Sequence, residues 1–164
     1  MRWRFSMEIE KLKRDTVINV LSFIILAATT LTLILFWKDI PETVVTHYGF
    51  KGQPDSYGSK NSLIFLPVVS WCIWLLLTVA GKYPKIWNVP QSKSEKAQKL
   101  VYRTMFDMLN CLKLTMVSFT SGLILFSAFS TEKLPSWFTF LFLILLFAEM
   151  FLFIKKAYKE AKTE

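Results

Sequence analysis

The side chains best suited to chemistry are concentrated between the first two apolar stretches of the chain. Residues 38–61, which we term the cap, contain the one histidine of the sequence together with carboxylates, phenols and lysines. These groups combine titratable donors and acceptors with aromatic faces. We therefore take the cap as a candidate ligand-binding surface. Its candidate residues are His47, Tyr48, Asp55, Tyr57, Lys60 and Glu42.

His47 has two interpretations. It either fixes the cap through a hydrogen bond to a carbonyl or carboxylate, or contacts a ligand or metal together with Asp55, Asp39 or Glu42. The spacing does not demand a metal, and no zinc-ligand spacing, P-loop, G-x-S-x-G or H-E-x-x-H motif is present. We expect no catalytic residue, metal or cofactor, and hence no enzyme. Because imidazole titrates near neutral pH, the cap could respond to external acidity.

Glu149 is the second candidate because it is an ionisable residue inside an apolar stretch. It lies six residues before Lys155, about 9 Å deep at 1.5 Å per residue, and such a group is by default a functional hypothesis. A structural interpretation is equally compatible, with a protonated Glu149 bonded to Ser118 or Thr115. Lys113 lies at a different depth and tilts away, so we expect it to snorkel to the interface.

Four long apolar stretches must position these residues. The predicted spans are 17–37, 63–81, 112–130 and 137–154, each about long enough to cross a hydrocarbon layer of roughly 30 Å as a helix. The stretches are continuous rather than alternating, which excludes a transmembrane β-barrel and a soluble domain. The sequence therefore predicts an all-α membrane protein, a single domain (1–164) with four transmembrane helices.

The cap is predicted to be ordered, because about 24 residues without structure would be unusual in so small a protein. The β-branched run Thr43–Tyr48 favours a short extended segment. Gly49, Gly52 and Gly58 are expected to permit turns that bring His47, Asp55 and Lys60 together as one unit.

The second and third spans carry further features. Pro67 is expected to kink the second span, with Trp71 and Trp74 either packed against the kink or lining a groove. A capping-box spacing predicts that a helix begins near Ser92–Ser94. Its first part, residues 94–111, is predicted to be an amphipathic helix at the cytoplasmic surface that continues into the third span.

The basic residues predict the orientation of the spans. The net charge is +8, and 15 of the 20 Lys and Arg residues lie in the N-terminal arm, the second loop and the C-terminal tail, against four in the first and third loops. By the positive-inside rule, both termini are cytoplasmic and the cap faces outward. Attraction to anionic lipid head groups explains the charge, so no nucleic-acid partner is expected.

The cap motifs resemble those of a known family. The matching runs are Ile40-Pro41-Glu42, Thr46-His47-Tyr48, Gly52-Gln53-Pro54-Asp55 and Gly58-Ser59-Lys60. They are similar to the domain of unknown function 1648 family, which includes the N-terminal part of SdpI-type immunity proteins of bacteria. Those membrane proteins protect a producer from its own secreted peptide toxin. The resemblance covers the first half of the chain, from the first span through the second.

Together these features predict a multi-pass protein of the bacterial cytoplasmic membrane that acts as a binding or protection module. It would recognise a peptide, a lipid or a partner membrane protein through the cap, and the resemblance implies toxin immunity as one form of this role. The alternative is a small transporter component or accessory subunit that uses Glu149. The expected partners are the bilayer and a peptide or membrane protein. The sequence does not decide whether the protein forms an oligomer.

Overall fold

The computed structural model describes residue 9 and residues 11–130 and 132–163. Four α-helices and one β-hairpin follow one another in the chain. Their bounds are α1 Lys13–Leu35, β1 Thr43–Tyr48, β2 Pro54–Ser59, α2 Phe65–Ala80, α3 Glu95–Phe129 and α4 Ser136–Ala161. Short 3₁₀ turns at Lys60–Ile64 and Pro84–Ile86 precede and follow α2.

Within the described residues, four helical segments are long and apolar enough to cross a membrane, as the apolar stretches predict. Many large apolar side chains point away from the bundle, including Ile34, Leu76 and Phe151. An apolar exterior is what a lipid environment requires, since water would not tolerate so extensive a patch. The fold is therefore mostly helical, with the composition of a multi-pass membrane protein.

The third helix organises the bundle. At 35 residues α3 is about 52 Å long, well beyond the thickness of a hydrocarbon layer. The predicted surface helix 94–111 and third span 112–130 are thus one continuous helix, which packs against α1, α2 and α4. Its N-cap is Ser94, whose hydroxyl accepts from the Ala97 amide at 3.4 Å.

The prediction of a kink at Pro67 is wrong. The α-helical part of the second span begins at Phe65, after the 3₁₀ turn, so Pro67 lies in the first turn of α2. A proline there removes a backbone donor that has no intrahelical acceptor in any case, and the helix proceeds without interruption.

The cap contains an antiparallel hairpin rather than one extended segment. The predicted run Thr43–Tyr48 is β1, and β2 pairs with it in the register Thr43 to Ser59 and Tyr48 to Pro54. The register shifts after Val45, as in a β-bulge. Hairpin and helices share a small core of Leu33, Ile40, Val44, Leu63, Ile124 and Ala128. We call the end of the bundle that carries the hairpin the hairpin end. The opposite end contains the start of α1 and the end of α4, and we call it the basic end.

Candidate functional site

The exposed side of the hairpin carries a close pair of candidate residues. His47 Nδ1 lies 2.6 Å from Asp55 Oδ1, across the two strands. Both side chains are largely open to solvent, 70% for His47 and 43% for Asp55. Beside them, Thr46 donates from its hydroxyl to Ser56 Oγ at 3.2 Å. The pair thus meets the expectation that His47 hydrogen-bonds a carboxylate, while leaving both groups accessible to a ligand.

A second pair lies at the base of the hairpin. Lys60 Nζ is 2.8 Å from Glu42 Oε1 and also donates to the carbonyl of Trp37 at 3.4 Å. The predicted unit of His47, Asp55 and Lys60 is therefore wrong in part. Lys60 follows the end of β2, four residues after the residue that lies opposite His47. This places Lys60 about 13 Å along the strand from His47, beyond reach of that pair, and Glu42 holds it instead.

The two candidate tyrosines point in different directions. Tyr57 is exposed on the hairpin, with 59% of its surface accessible. Tyr48 instead packs its ring against Phe126 of α3, with centroids 5.9 Å apart. Burial raises the pKa of the Tyr48 phenol, because ionisation away from water is unfavourable. Tyr57 can contact a ligand at the surface, whereas Tyr48 attaches the hairpin to the bundle.

The hairpin tip is fixed to the loop between α3 and α4. The Leu134 amide donates to the Gly52 carbonyl at 2.8 Å, and Ser136 Oγ donates to the Lys51 carbonyl at 2.9 Å. Gly52 has φ of +81°, while Gly49 and Gly58 lie outside the left-handed region. Of the three glycines expected to shape the turns, only Gly52 is needed for its backbone conformation. The exposed pair therefore stands on a support held at its base and tip.

Glu149 has one of its two expected partners. Thr115 Oγ1 donates to Glu149 Oε1 at 2.7 Å, joining α3 to α4. Ser118, the other expected partner, is exposed on α3 and does not make this bond. The second oxygen of Glu149 is buried and has no hydrogen-bond partner in the described part of the chain. With one oxygen bonded and the other without a described partner, Glu149 fits both its structural and its functional interpretation.

Lys113 does not snorkel, so that expectation is wrong. Its side chain is buried, with 2% of its surface exposed. The ammonium donates to Asn19 Oδ1 at 2.5 Å and lies 5.9 Å from the ring centroid of Trp74. A polar acceptor on α1 and an aromatic face on α2 hold the amine between the helices, which the sequence of α3 alone could not reveal.

Trp71 and Trp74 pack against α1 rather than against a kink at Pro67. Trp71 Nε1 donates to Thr30 Oγ1 at 3.1 Å and Trp74 Nε1 donates to Ser22 Oγ at 3.0 Å, so both rings pack α2 against α1. Trp74 also lines a cavity at the basic end of the bundle.

Sequence reasoning missed a charged network at the basic end. The Arg103 guanidinium donates to both carboxylate oxygens of Asp15, at 2.7 and 2.6 Å, and to Asp107 at 2.5 Å. Arg14 completes it at 2.5 Å from Asp107. Asp15 is buried, and its other contact is the Leu12 amide at the start of α1. The available signal was an acidic residue directly after the basic run 11–14, on the helix face that contains Asn19.

Within the described residues, no group of three or more His, Cys, Asp or Glu side chains is arranged to hold a metal ion. Lys60 instead pairs with Glu42, and Asp15, Arg103, Asp107 and Arg14 form a chain that alternates in sign.

The architecture defines a class of protein, a bundle with four candidate membrane spans and a hairpin between the first two. Residues 24–70 match the family described as "Domain of unknown function (DUF1648)", which confirms the resemblance within the first half of the chain. The match covers most of α1, the hairpin and the start of α2. An uncharacterized protein of Archaeoglobus fulgidus is 29% identical over 150 residues, covering 81% of each chain. No solved structure matches the chain.

Proposed function

We propose that this chain is a multi-pass protein of the cell membrane that binds a peptide, or the extramembrane part of a partner membrane protein, through the hairpin. Both termini would then be cytoplasmic, as the distribution of basic residues favours. The observation that carries the proposal is the combination of a fixed hairpin with exposed His47, Asp55 and Tyr57. A support that is already ordered binds with less loss of conformational entropy than a mobile loop would.

The chemistry of this surface favours a polypeptide partner. An imidazole, a carboxylate and a phenol within one strand pair offer directional donors and acceptors beside an aromatic face. Tyrosine is frequent among the residues that dominate binding energy at protein interfaces. The resemblance to immunity proteins supports a secreted peptide toxin as one form of the partner, with protection as the outcome of binding.

Photocrosslinking in native membranes tests the proposal. A photoreactive phenylalanine replaces Tyr57 in the full chain, and a matched variant carries it at Tyr158, at the basic end and equally exposed at 58%. The expected result is a polypeptide adduct at position 57 that is absent at position 158 and at least five-fold weaker with Asp55→Ala. Lipid adducts alone at both positions would refute recognition of a polypeptide.

A second candidate function, proton or cation transfer in a small transporter component, is favoured by Glu149 Oε2, which is buried and has no hydrogen-bond partner among the described residues. Its test is proton flux into vesicles containing the full chain under an imposed membrane potential. A transport role predicts flux that is lost in Glu149→Gln while the protein stays folded. Equal flux in wild type, Glu149→Gln and empty vesicles would exclude it.

A further inference from the structure

A cavity of about 480 Å³ opens at the basic end, between α1, α2 and α3. Its polar lining includes Lys113, Asn19 and Asn110, and its apolar walls include Trp74 and Leu77. Lys113 and Asn110 are each only 2% exposed, so the polar groups lie at the closed inner part of the cavity. The cavity is remote from the hairpin and independent of the proposed recognition surface.

The inner part of the cavity holds a positive charge without a nearby negative one. Among the described residues, no carboxylate lies within ion-pair distance of Lys113 Nζ, whose close contacts are the neutral Asn19 amide and the Trp74 ring. Asp15 also lines the cavity, but both its oxygens are held by Arg103. A buried ammonium without a counter-ion is costly, so this arrangement favours binding of an anion.

A second buried donor lies one helical turn before Lys113 on the same helix. Asn110 accepts from Asn19 Nδ2 through its Oδ1 at 3.4 Å, but its Nδ2 has no partner in the part of the chain that the structure describes. An unsatisfied buried donor costs about 1–3 kcal/mol. Because positions three apart face the same side of a helix, one anionic group could accept from both Asn110 and Lys113.

The size and walls of the cavity indicate what carries that anion. An inorganic phosphate would leave most of the volume empty, whereas Trp74, Leu77 and Phe106 offer apolar contact to an attached hydrocarbon portion. At the mouth, the exposed Lys11 and Lys82 add positive charge. Basic pockets between membrane helices are typical binding sites for anionic phospholipid head groups.

We propose that this cavity binds the phosphate of an anionic phospholipid, with Lys113 and Asn110 as the contacting donors. The apolar walls would receive the glycerol and the first methylene groups of the lipid. The site would give this end of the bundle a specific lipid ligand in addition to the non-specific attraction of its basic surface.

Native mass spectrometry of the full chain in detergent tests this site with dioctanoyl-phosphatidylglycerol as the probe and dioctanoyl-phosphatidylcholine as the zwitterionic comparison. The expected result is saturable binding of the phosphatidylglycerol, at least ten-fold tighter than that of the phosphatidylcholine. Lys113→Met should weaken phosphatidylglycerol binding at least ten-fold. The matched control is Lys99→Met, which removes the same charge from the exposed surface of α3, where Lys99 pairs with Glu95, and should leave binding within two-fold.

Asn110→Asp keeps the test decisive if Lys113→Met does not fold. It places a carboxylate beside the amine as an internal counter-ion, and should also weaken phosphatidylglycerol binding at least ten-fold. Unchanged phosphatidylglycerol binding in a folded Lys113→Met or Asn110→Asp variant would overturn the site. Competition by inorganic phosphate at millimolar concentration, with the same dependence on Lys113, would overturn the lipid assignment in favour of a soluble phosphate ligand.

Discussion

The His47–Asp55 hydrogen bond and the Asp15–Arg103 ion pair are both close polar contacts, but their surroundings give them different roles. The first pair is open to solvent, where such pairs typically contribute about 0–1 kcal/mol to stability. The second is largely buried, where loss of one partner leaves an uncompensated charge and typically costs about 3–5 kcal/mol. Substitution of the exposed pair can therefore report on binding, whereas substitution of the buried pair reports first on the fold.

The exposed pair gives the first prediction. His47→Ala and Asp55→Ala should each reduce crosslinking at position 57 at least five-fold and leave the melting temperature within about 2 °C of wild type. The double variant should be little worse than either single one, because each substitution already breaks the shared bond. Glu132→Ala, which removes an exposed carboxylate in the loop between α3 and α4, is the control for a general charge effect and should leave crosslinking within two-fold. Two additive losses would mean that the two side chains bind independently.

Thr115 gives the second prediction at this scale. Thr115→Val removes the donor to Glu149 and should lower the free energy of unfolding in mixed micelles by about 0.5–2 kcal/mol, the range for hydrogen bonds between membrane helices. Thr120→Val is the matched control, since Thr120 bonds to carbonyls of its own helix, and should change stability by less than about 0.5 kcal/mol. Equal effects of the two substitutions would show that the bond to Glu149 adds no stability.

At the scale of elements, the helices could be predicted from the apolar stretches. A long, continuous apolar segment has no polar surroundings to bond its backbone, and a helix satisfies those hydrogen bonds within the segment. β1 could be predicted from its β-branched residues. β2 could not, since Pro54 and Gly58 disfavour a strand by local propensity, and the pairing depends on a turn that returns the chain to β1. The start of α2 was equally hidden, because the last two residues of the 3₁₀ turn, Leu63 and Ile64, are as apolar as the helix that follows.

The turn itself gives the third prediction. Gly52→Ala should destabilise the hairpin, because an alanine at φ of +81° is strained and its Cβ would lie 2.0 Å from the Leu134 carbonyl oxygen. We expect at least a five-fold increase in proteolytic cleavage within the cap. Gly49→Ala is the control, since its Cβ would meet only the ends of the Gln53 and Asp55 side chains and no backbone atom. Equal cleavage of wild type and Gly52→Ala would contradict the contact between the hairpin tip and residue 134.

The contact between α1 and α3 gives the fourth prediction. Asp15→Ala removes the bidentate partner of Arg103 and should lower the free energy of unfolding by about 3 kcal/mol. Glu95→Ala is the control, because its ion pair with Lys99 is exposed, and should cost less than about 0.5 kcal/mol. A loss as small as that of the control would mean that Asp107 alone satisfies Arg103.

The candidate site was predictable only where partners are close in sequence. His47 and Asp55 share one loop. Counting residues along the two adjacent helices places Ser118 level with Glu149, whereas the residue that bonds to Glu149 is Thr115, three positions earlier on α3. The contacts of Lys113 could not be found in this way, because Asn19 and Trp74 come from two other helices. Which side chains meet inside a bundle depends on which helix faces pack together. In four largely apolar helices, the sequence hardly distinguishes the faces that pack from the faces that do not.

For the molecule as a whole, each end has a small apolar core, and the two ends differ in the polar contacts between helices that are added to it. At the hairpin end, apolar residues of the helices and β1 form a shared core. At the basic end, ion pairs join α1 to α3, and Thr104 donates to Glu160 Oε2 at 2.7 Å to join α3 to α4. Because the hairpin carries the exposed candidate residues, the orientation of the bundle decides whether external or cytoplasmic partners can reach them.

The orientation gives the last prediction, tested with two exposed glutamines at opposite ends of the bundle. After replacement of Cys72 and Cys111, Gln53→Cys should react with a membrane-impermeant maleimide in intact cells, and Gln91→Cys should react only after permeabilisation. The reason is the excess of basic residues in the arm, the second loop and the tail, which are retained on the cytoplasmic side. Comparable reactivity of both cysteines in permeabilised cells controls for accessibility. The reverse labelling would place the hairpin in the cytoplasm, where no secreted peptide could reach Tyr57, and the proposed recognition of an external polypeptide would fall with it.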